Sequence, residues 1–241
     1  MRRAQRGAVI LGLGLMATAS GATAAKTCPA APAEGLVITI HVHNYAEVDR
    51  KTLTEAETVT TEIFRKVGVE ARWIDSWDTQ HPNFVDGGPS DLTHLALSIL
   101  SQPMSGRFRL ANEVMGLAPG SGLDRYLVYI FFNRIRGFNG APTTASVDGM
   151  YLRTSHTLGY AIAHEIGHLL LNMEVHSESG IMKGHWSHRD LQEIASERLS
   201  FTPEQAEVIR AEVARRGHHL AENELSFNSS NIEWQVGSKR E

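Results

Sequence analysis

The order of apolar and polar positions near the start of the folded region predicts a strand, a helix and a second strand. Residues 36–43 alternate β-branched or aliphatic side chains with other types, a pattern typical of a strand. Residues 52–67 have helical spacing of apolar side chains, and Gly68 is a typical helix stop. Residues 69–74 predict another strand. This β-α-β opening predicts two parallel strands with the helix packed across them.

The middle of the chain has a weaker pattern. Residues 78–91 are rich in Gly, Pro and Asp, which predicts a loop. The apolar runs at 94–100 and 127–133 predict two further strands. Residues 101–122 have no clear periodicity, and residues 138–149 form a connection rich in Gly, Pro and Thr.

A strong helix start lies near the end of the periodic region. Thr202 is a typical N-cap, Pro203 suits the first turn, and Gln205 completes a capping box. Gly217 is expected to end this helix. Residues 218–241 are rich in Asn, Ser and Glu, and they predict a loose polar tail.

The N-terminus has the pattern of an export signal, which we assign to residues 1–25. Three arginines precede an apolar core at 8–16, and the small residues 22–24 suit cleavage. The apolar core is too short to span a bilayer, so the mature protein is expected to be secreted or periplasmic and not membrane-embedded. Residues 26–35 predict an extended leader, and residues 36–217 predict one folded domain.

The charge of the chain argues against one class of partner, and its cysteine content excludes one kind of cross-link. The chain has a formal net charge of −4, and removal of the signal takes away three of its 23 basic residues and none of its 27 acidic ones, which leaves about −7. No basic patch with interleaved aromatic residues is evident, so nucleic acid is not an expected partner. Cys28 is the only cysteine, which excludes an intramolecular disulfide.

The clearest chemistry lies in the sequence HEIGH at residues 164–168. Side chains four positions apart share one helix face, so His164 and His168 would direct two imidazoles at one metal, with Glu165 beside its open position. Apolar residues on both sides predict a buried helix, in which histidines need partners. A catalytic zinc typically takes three protein ligands, and His176, just beyond the expected helix end, is the candidate third ligand.

Other ligands remain open. Glu193 and Glu197 lie on a predicted helix about two dozen residues after His168, the arrangement of zinc enzymes with a glutamate third ligand, although charged neighbours also suit an ordinary solvated face. His185 and His188 are expected to contact substrate, to support the ligands or to be merely exposed. A thiolate from Cys28 is a further alternative as an inhibitory ligand, against the simpler expectation of an exposed thiol.

The motif and the residues after it resemble the metzincin clan of zinc endopeptidases, in which a glycine turn, a third histidine and a methionine-bearing turn follow the HExxH helix. The usual spacing would place the glycine at Leu171 and the third histidine at Glu174. This chain instead has Asn172 one position later and His176 two positions later. Asparagine is the best non-glycine residue for the left-handed conformation that ends a helix. The resemblance assigns Met182 to the methionine turn.

The chain also resembles a group of small bacterial exported proteins that look like reduced metzincins, with the pattern HEIGHLLLG, then HS, then GIM and a nearby tryptophan. The corresponding residues here are 164–172, His176-Ser177, 180–182 and Trp186. Outside the site the likeness, over residues 36–216, depends on the order of the elements.

The resemblance implies an α+β, metzincin-like fold: a small mixed sheet packed on helices, the HExxH helix, and a mainly helical C-terminal part. In such a fold an edge strand binds extended peptide by backbone pairing, and residues 147–152 are the candidate edge. His41 and His43 alternate on one predicted strand face, and with no third ligand nearby they are expected to be ordinary strand residues. Some metzincins place a tyrosine after the methionine turn, but no tyrosine follows Tyr160.

The sequence therefore predicts an exported zinc endopeptidase acting on peptides or proteins. One Zn²⁺ held by His164, His168 and His176 would activate water, and Glu165 would accept its proton and pass it to the leaving amine. Two alternatives are a non-catalytic zinc-binding interaction protein and a zinc amidase acting on cell-wall peptides. An intact Glu165 argues against the first, because metal binding does not need it.

A first prediction concerns processing. The mature chain should begin near Ala25 or Lys26, because the small residues before this point suit signal peptidase. Mass spectrometry of the protein recovered outside the cytoplasm measures this directly. An exported protein that retains Met1 would contradict the assignment.

Overall fold

The computed structural model describes residues 35–75, 84–85, 88–89, 92–119, 125–139, 152–172 and 176–218. These residues belong to one compact unit, Glu34–Glu241. The predicted signal, the leader apart from Gly35, Cys28 and the tail beyond residue 218 lie outside the described residues. Among the described residues, no helix combines the length and apolar character needed to cross a membrane.

A five-stranded mixed sheet organises the unit, in the order β2-β1-β5-β7-β6. The first four of these strands are parallel, and β6 pairs antiparallel with β7 at the edge. A separate antiparallel pair joins β3 and β4. The strands are β1 Val37–Asn44, β2 Glu70–Asp75, β3 Phe84–Val85, β4 Gly88–Pro89, β5 His94–Leu100, β6 Gly116–Leu117 and β7 Leu127–Phe131.

Six helices complete the described fold. They are α1 Arg50–Lys66, α2 Gln102–Ser105, α3 Phe132–Asn139, α4 Thr154–Leu171, α5 His188–Ala195 and α6 at 203–218, with a 3₁₀ turn at Gly106–Phe108. The fold is therefore a mixed α/β architecture, with helices packed on a sheet.

The predicted β-α-β unit is present, with a parallel register that runs from Val37 opposite Glu70 to Val42 opposite Asp75. The Asp49 side chain caps α1 by accepting a hydrogen bond from the Thr52 amide at 3.0 Å. Gly68 has φ +81°, the left-handed conformation that lets the chain turn back into β2. Local sequence signals thus account for this unit.

Helix α4 lies at the centre of the core. Seventeen of its eighteen residues are buried, although an ordinary surface helix buries a single stripe. Helix α1 packs against it so closely that the Thr60 hydroxyl donates to the Gly159 carbonyl at 3.0 Å. A helix enclosed in this way is fixed in position by all its neighbours, and so are the side chains that it carries.

Two predicted boundaries differ from the structure. The apolar run at 127–133 leaves the sheet after Phe131, and Phe132 begins α3. A short apolar run does not distinguish a strand end from a buried helix start, which explains the difference. At the C-terminus, Thr202 and Gln205 form the predicted capping box, with bonds of 3.0 and 3.3 Å, but α6 includes Gly217 and reaches residue 218.

Two segments predicted to be irregular contain short elements. The predicted loop at 78–91 includes the β3-β4 pair, and the remaining positions lie outside the described residues. The segment 101–122, which lacks periodicity, contains α2, the 3₁₀ turn and β6. Two-residue strands are too short to leave an alternating pattern, so the sequence does not reveal them.

A prediction on stability follows from the contact between α1 and α4. A Cβ at Gly159 would lie 2.7 Å from the Ala56 carbonyl oxygen and 2.8 Å from Val59 Cβ, so a side chain there must push the helices apart. Gly159→Ala should lower the free energy of unfolding by about 1–3 kcal/mol, measured by urea denaturation.

Gly137→Ala is the matched control, because a Cβ there meets nothing within 4 Å and the residue lies in α3. Its stability should equal the wild type's or exceed it by up to about 1 kcal/mol. Equal stability of Gly159→Ala and wild type would show that the two helices are not tightly packed.

Candidate metal centre

Helix α4 places the two motif histidines side by side. The Nε2 atoms of His164 and His168 are 3.1 Å apart, and each residue is 9% exposed. Their spacing of one helical turn puts both rings on the same face, as the sequence predicts.

The chain beyond α4 brings in the third histidine. Asn172 caps the helix with φ 51° and ψ 39°, the left-handed conformation predicted for it. The His176 ring then lies 5.2 Å from the His164 ring and 5.0 Å from the His168 ring, between centroids. One nitrogen from each of the three residues falls within 4.8 Å of the other two. Within the described residues, this is the only group of three metal-ligating side chains.

A turn below the histidines fixes the His164 ring. The His164 Nδ1–H donates to the Ile181 carbonyl at 2.8 Å, which leaves Nε2 as the nitrogen with a free lone pair. The Trp186 indole N–H donates to the same carbonyl at 3.1 Å. Ile181 is itself held by its amide, which donates to the Ser200 carbonyl at 3.0 Å. This chain of bonds sets both the tautomer and the orientation of the imidazole.

Met182 lies directly under the helix. It is fully buried, and its sulfur would be only 2.5 Å from a Cβ built at Gly167, between the two motif histidines. The glycine of the motif thus lets the methionine approach the helix backbone. Met182 therefore packs against α4 between the positions of the two motif histidines.

Burial changes the acid-base properties of the motif. It lowers the pKa of His164 to about 4, so the imidazole is neutral and its lone pair is available at neutral pH. Burial also raises the pKa of Glu165 to about 8. The carboxyl group lies against β6, since a Cβ at Gly116 would meet Glu165 Cγ at 2.5 Å and Oε1 at 2.6 Å.

A cleft of about 570 Å³ opens over these groups. Its described walls include β6 and the residues on either side of it, together with parts of α3 and α4. Arg125, just before β7, and the segment after Met182 complete them. The lining positions are 113–119, Arg125, Phe138, Ala161, His164, Glu165, His168, His176 and 183–186. The histidine cluster and Glu165 therefore face a space large enough for a peptide segment.

The donor set suits zinc. Two ligand nitrogens on one tetrahedral zinc would be about 3.3 Å apart, given zinc–nitrogen bonds of about 2.0–2.1 Å. The 3.1 Å between the two Nε2 atoms is close to this spacing. Imidazoles are typical zinc ligands, and His164 is neutral and oriented by a backbone carbonyl. The three histidines could therefore hold one ion.

The glutamate alternatives do not join this cluster. Glu193 Oε1 lies 3.4 Å from Arg189 Nε, and Glu197 Oε1 lies 3.3 Å from His156 Nε2. Glu197 also has φ 55° and follows the end of α5. Both carboxylates are thus engaged away from the three imidazoles.

Four other histidines that the sequence singles out lie apart from the cluster, two after Met182 and two on β1. His185 is exposed and lines the cleft, whereas His188 begins α5 and is exposed outside it. His41 and His43 lie on β1, and His41 Nε2 contacts His94 Nδ1 at 2.9 Å. Within the described part of the chain, none of these four joins a group of three metal-ligating side chains.

The edge strand beside the site is β6. Residues 147–151 of the predicted edge lie outside the described residues, and Leu152 is buried. A two-residue strand that depends on pairing with β7 leaves no periodic signal, although Gly116 could have suggested a close backbone approach. Sequence analysis also missed Arg125, whose place on the cleft depends on tertiary structure.

Comparisons with known proteins give distant likenesses only. No protein-family model matches the chain, and no curated protein matches it. An archaemetzincin from Methanopyrus kandleri is 12% identical with a TM-score of 0.41, over 75% of this chain and 98% of that one. A zinc-dependent peptidase from Methanocorpusculum labreanum is 14% identical with a TM-score of 0.43, over 70% and 99%. At these TM-scores neither likeness assigns the chain to a family.

A prediction on metal binding follows from the position of His176. His176→Ala should weaken zinc binding strongly, because it removes one of three converging nitrogens, whereas Glu193→Ala should leave it unchanged. Metal content after dialysis against graded zinc buffers measures both. Loss of zinc from the Glu193 variant alone would transfer the third-ligand role to the glutamate.

Proposed function

We propose that this chain is an exported zinc-dependent endopeptidase. The observation that supports it most is the convergence of three imidazoles and one carboxyl group on the floor of a single cleft. His164, His168 and His176 would hold one zinc ion, and Met182 would form the methionine turn of a metzincin-like site. Export is proposed from the basic, apolar and small-residue order of residues 1–25.

The surroundings of two of the three histidines bear on metal binding. The Ile181 carbonyl orients His164, and Gly184 approaches His176 so closely that a Cβ at Gly184 would lie 2.8 Å from His176 Nδ1. When bound, zinc would lower the pKa of a coordinated water and polarise the peptide carbonyl. Preset ligand geometry favours this chemistry, because little rearrangement is needed on binding.

Glu165 is proposed as the proton carrier. It follows His164 on α4, so its carboxyl group lies one step around the helix from the ligand face and not among the three nitrogens. It is also buried against Gly116 at the cleft floor. A zinc cation held by the three histidines would lower the pKa that burial raises, and the carboxylate would then accept a proton from the attacking water and deliver it to the leaving amine.

Strand β6 is proposed to bind the peptide backbone. It is the edge of the described sheet, because β7 pairs with it on one side and no described strand pairs on the other. Residues 116–117 line the cleft, next to Glu165. An extended peptide added along this edge would pass over the histidines, with its backbone hydrogen-bonded to β6.

The tyrosine that some metzincins place after the methionine turn has no counterpart in this sequence, since no tyrosine follows Tyr160. His185 lies on the cleft wall, after the turn that carries Met182. We propose that its ring helps to bind the carbonyl oxygen as charge develops there.

A prediction on catalysis separates proton transfer from metal binding. Glu165→Gln keeps the size of the side chain but removes the carboxylate, so peptide hydrolysis should fall by about 10²- to 10⁴-fold. Zinc stoichiometry and thermal unfolding should stay as in wild type, because the glutamate is not a ligand. Cleavage of casein and of a mixed peptide library measures the activity, with peptidoglycan as a parallel substrate.

Glu207→Gln is the matched control, because this exposed glutamate lies on α6, and the variant should retain full activity. A Glu165→Gln protein that keeps its zinc and cleaves at the wild-type rate would rule out the proposed mechanism. A wild type that holds zinc but cleaves none of the peptide substrates would favour the non-catalytic alternative, and cleavage of peptidoglycan alone would favour the amidase.

A further inference from the structure

Arg125 is a buried cation on the wall of the cleft. It lies just before β7, its side chain is 4% exposed, and it lines the same space as the histidines. Its Nη1 donates one hydrogen bond, to the side-chain oxygen of Asn172 at 2.6 Å. The Nε atom is fully buried and has no hydrogen-bond partner. No carboxylate among the described residues forms an ion pair with this guanidinium.

The neighbouring Arg216 is a useful comparison, because all of its side-chain nitrogens have partners within the protein. It is equally buried, and its Nε lies 2.8 Å from Glu212 Oε1 in an ion pair. Its two remaining nitrogens donate to three backbone carbonyls, those of Leu92, Arg125 and Leu169. Every nitrogen of Arg216 is satisfied within the protein, whereas Arg125 is bonded through one nitrogen, to a neutral acceptor.

Lys183, the other cation that lines the cleft, has a carboxylate partner. Lys183 Nζ lies 2.5 Å from Asp190 Oδ2, and this aspartate also accepts from the Ser187 amide at 2.6 Å. Arg125 is therefore the cleft-lining arginine or lysine without a carboxylate, among the residues that the structure describes. A buried charge without a counter-charge is costly, and an anion entering the cleft would remove that cost.

The position of Arg125 sets its distance from the reacting groups. Its partner Asn172 comes four residues after His168, about 6 Å further along the helix axis at about 1.5 Å per residue. An extended peptide advances about 3.3 Å per residue, so this offset corresponds to one or two residues. For a peptide that lies parallel to the axis of α4, this offset puts the guanidinium near a residue beside the cleaved bond, and not at the bond itself.

We propose that Arg125 binds a carboxylate of the peptide substrate, one or two residues from the cleaved bond. Guanidinium and carboxylate form paired, charge-assisted hydrogen bonds, which suit a buried cation that has an unpartnered donor. The carboxylate is either the C-terminus of a short peptide or an acidic side chain within a longer one. This inference depends on the proposed peptidase function for its meaning, but its test does not require turnover.

The test measures binding by calorimetry on Glu165→Gln protein, in which peptides should remain intact. The first pair of probes is acetyl-Phe-Leu-Ala-Ala with a free carboxylate and the same peptide with a terminal amide. The second pair is the amide with the last Ala replaced by Asp or by Asn. At least one charged probe should bind about tenfold more tightly than its neutral partner, because hydrogen bonds between ions are worth more than neutral ones.

Substitution of the arginine shows whether it carries this preference. Arg125→Gln should reduce the ratio of charged to neutral affinity to about one, and Arg125→Lys should retain part of it. Arg189→Gln is the matched control, because Arg189 is an exposed arginine on α5 outside the cleft, and its ratio should be unchanged. The ratio is an internal standard, because partial unfolding weakens charged and neutral probes alike. Titrations repeated after chelation exclude a direct bond between carboxylate and metal as the source.

Each outcome bears on one proposal. A preference for the free C-terminus identifies the terminal carboxylate as the ligand, and a preference for Asp over Asn identifies the side chain. Equal binding of charged and neutral probes overturns the inference, as does a preference that survives in Arg125→Gln. If Arg125→Gln lowers the unfolding temperature and leaves the ratio intact, the residue only stabilises the end of α4. A wild type that hydrolyses no peptide, yet shows the Arg125-dependent preference, refutes the peptidase proposal alone.

Discussion

The enclosure of α4 on all sides is the constraint on which the rest of the structure depends. A helix with one exposed face could slide or rotate. Helix α4 cannot, because α1 packs closely against it at Gly159 and Met182 packs closely against it at Gly167, where glycine has no side chain to prevent the contact. The polar groups on this helix must then be satisfied inside the protein. For His164 the carbonyl of Ile181 does this at one ring nitrogen, and the other nitrogen faces its fellow histidines.

Local signals explain why much of this arrangement could be predicted from the sequence. The β-α-β unit follows from periodicity and from Gly68, and the left-handed Asn172 follows from the shape of its side chain. The meeting of His176 with the motif pair follows from a helix end that turns the chain back within four residues. In each case a few neighbouring residues determine the conformation, so a single chain is sufficient to predict it.

Features set by distant contacts could not be predicted in the same way. β6 exists because residues 116–117 pair with β7, and the sequence around it contains no alternation. The start of α3 at Phe132 depends on where the sheet ends, and an apolar run does not show that. Arg125 and Arg216 are the same residue type and equally buried, and they differ in the hydrogen-bond and ion-pair partners that the fold gives them. The residues proposed to shape specificity are therefore harder to predict than the three clustered histidines.

The support of the imidazoles by backbone and core has a consequence for the evolution of such proteins. In small zinc domains the metal supplies the folding energy, so loss of a ligand destroys the structure. Here a large apolar core of sheet and helices surrounds the three histidines, so a lineage could lose one of them and still inherit a stable molecule. A descendant of this kind would keep the cleft and could serve as a binding protein.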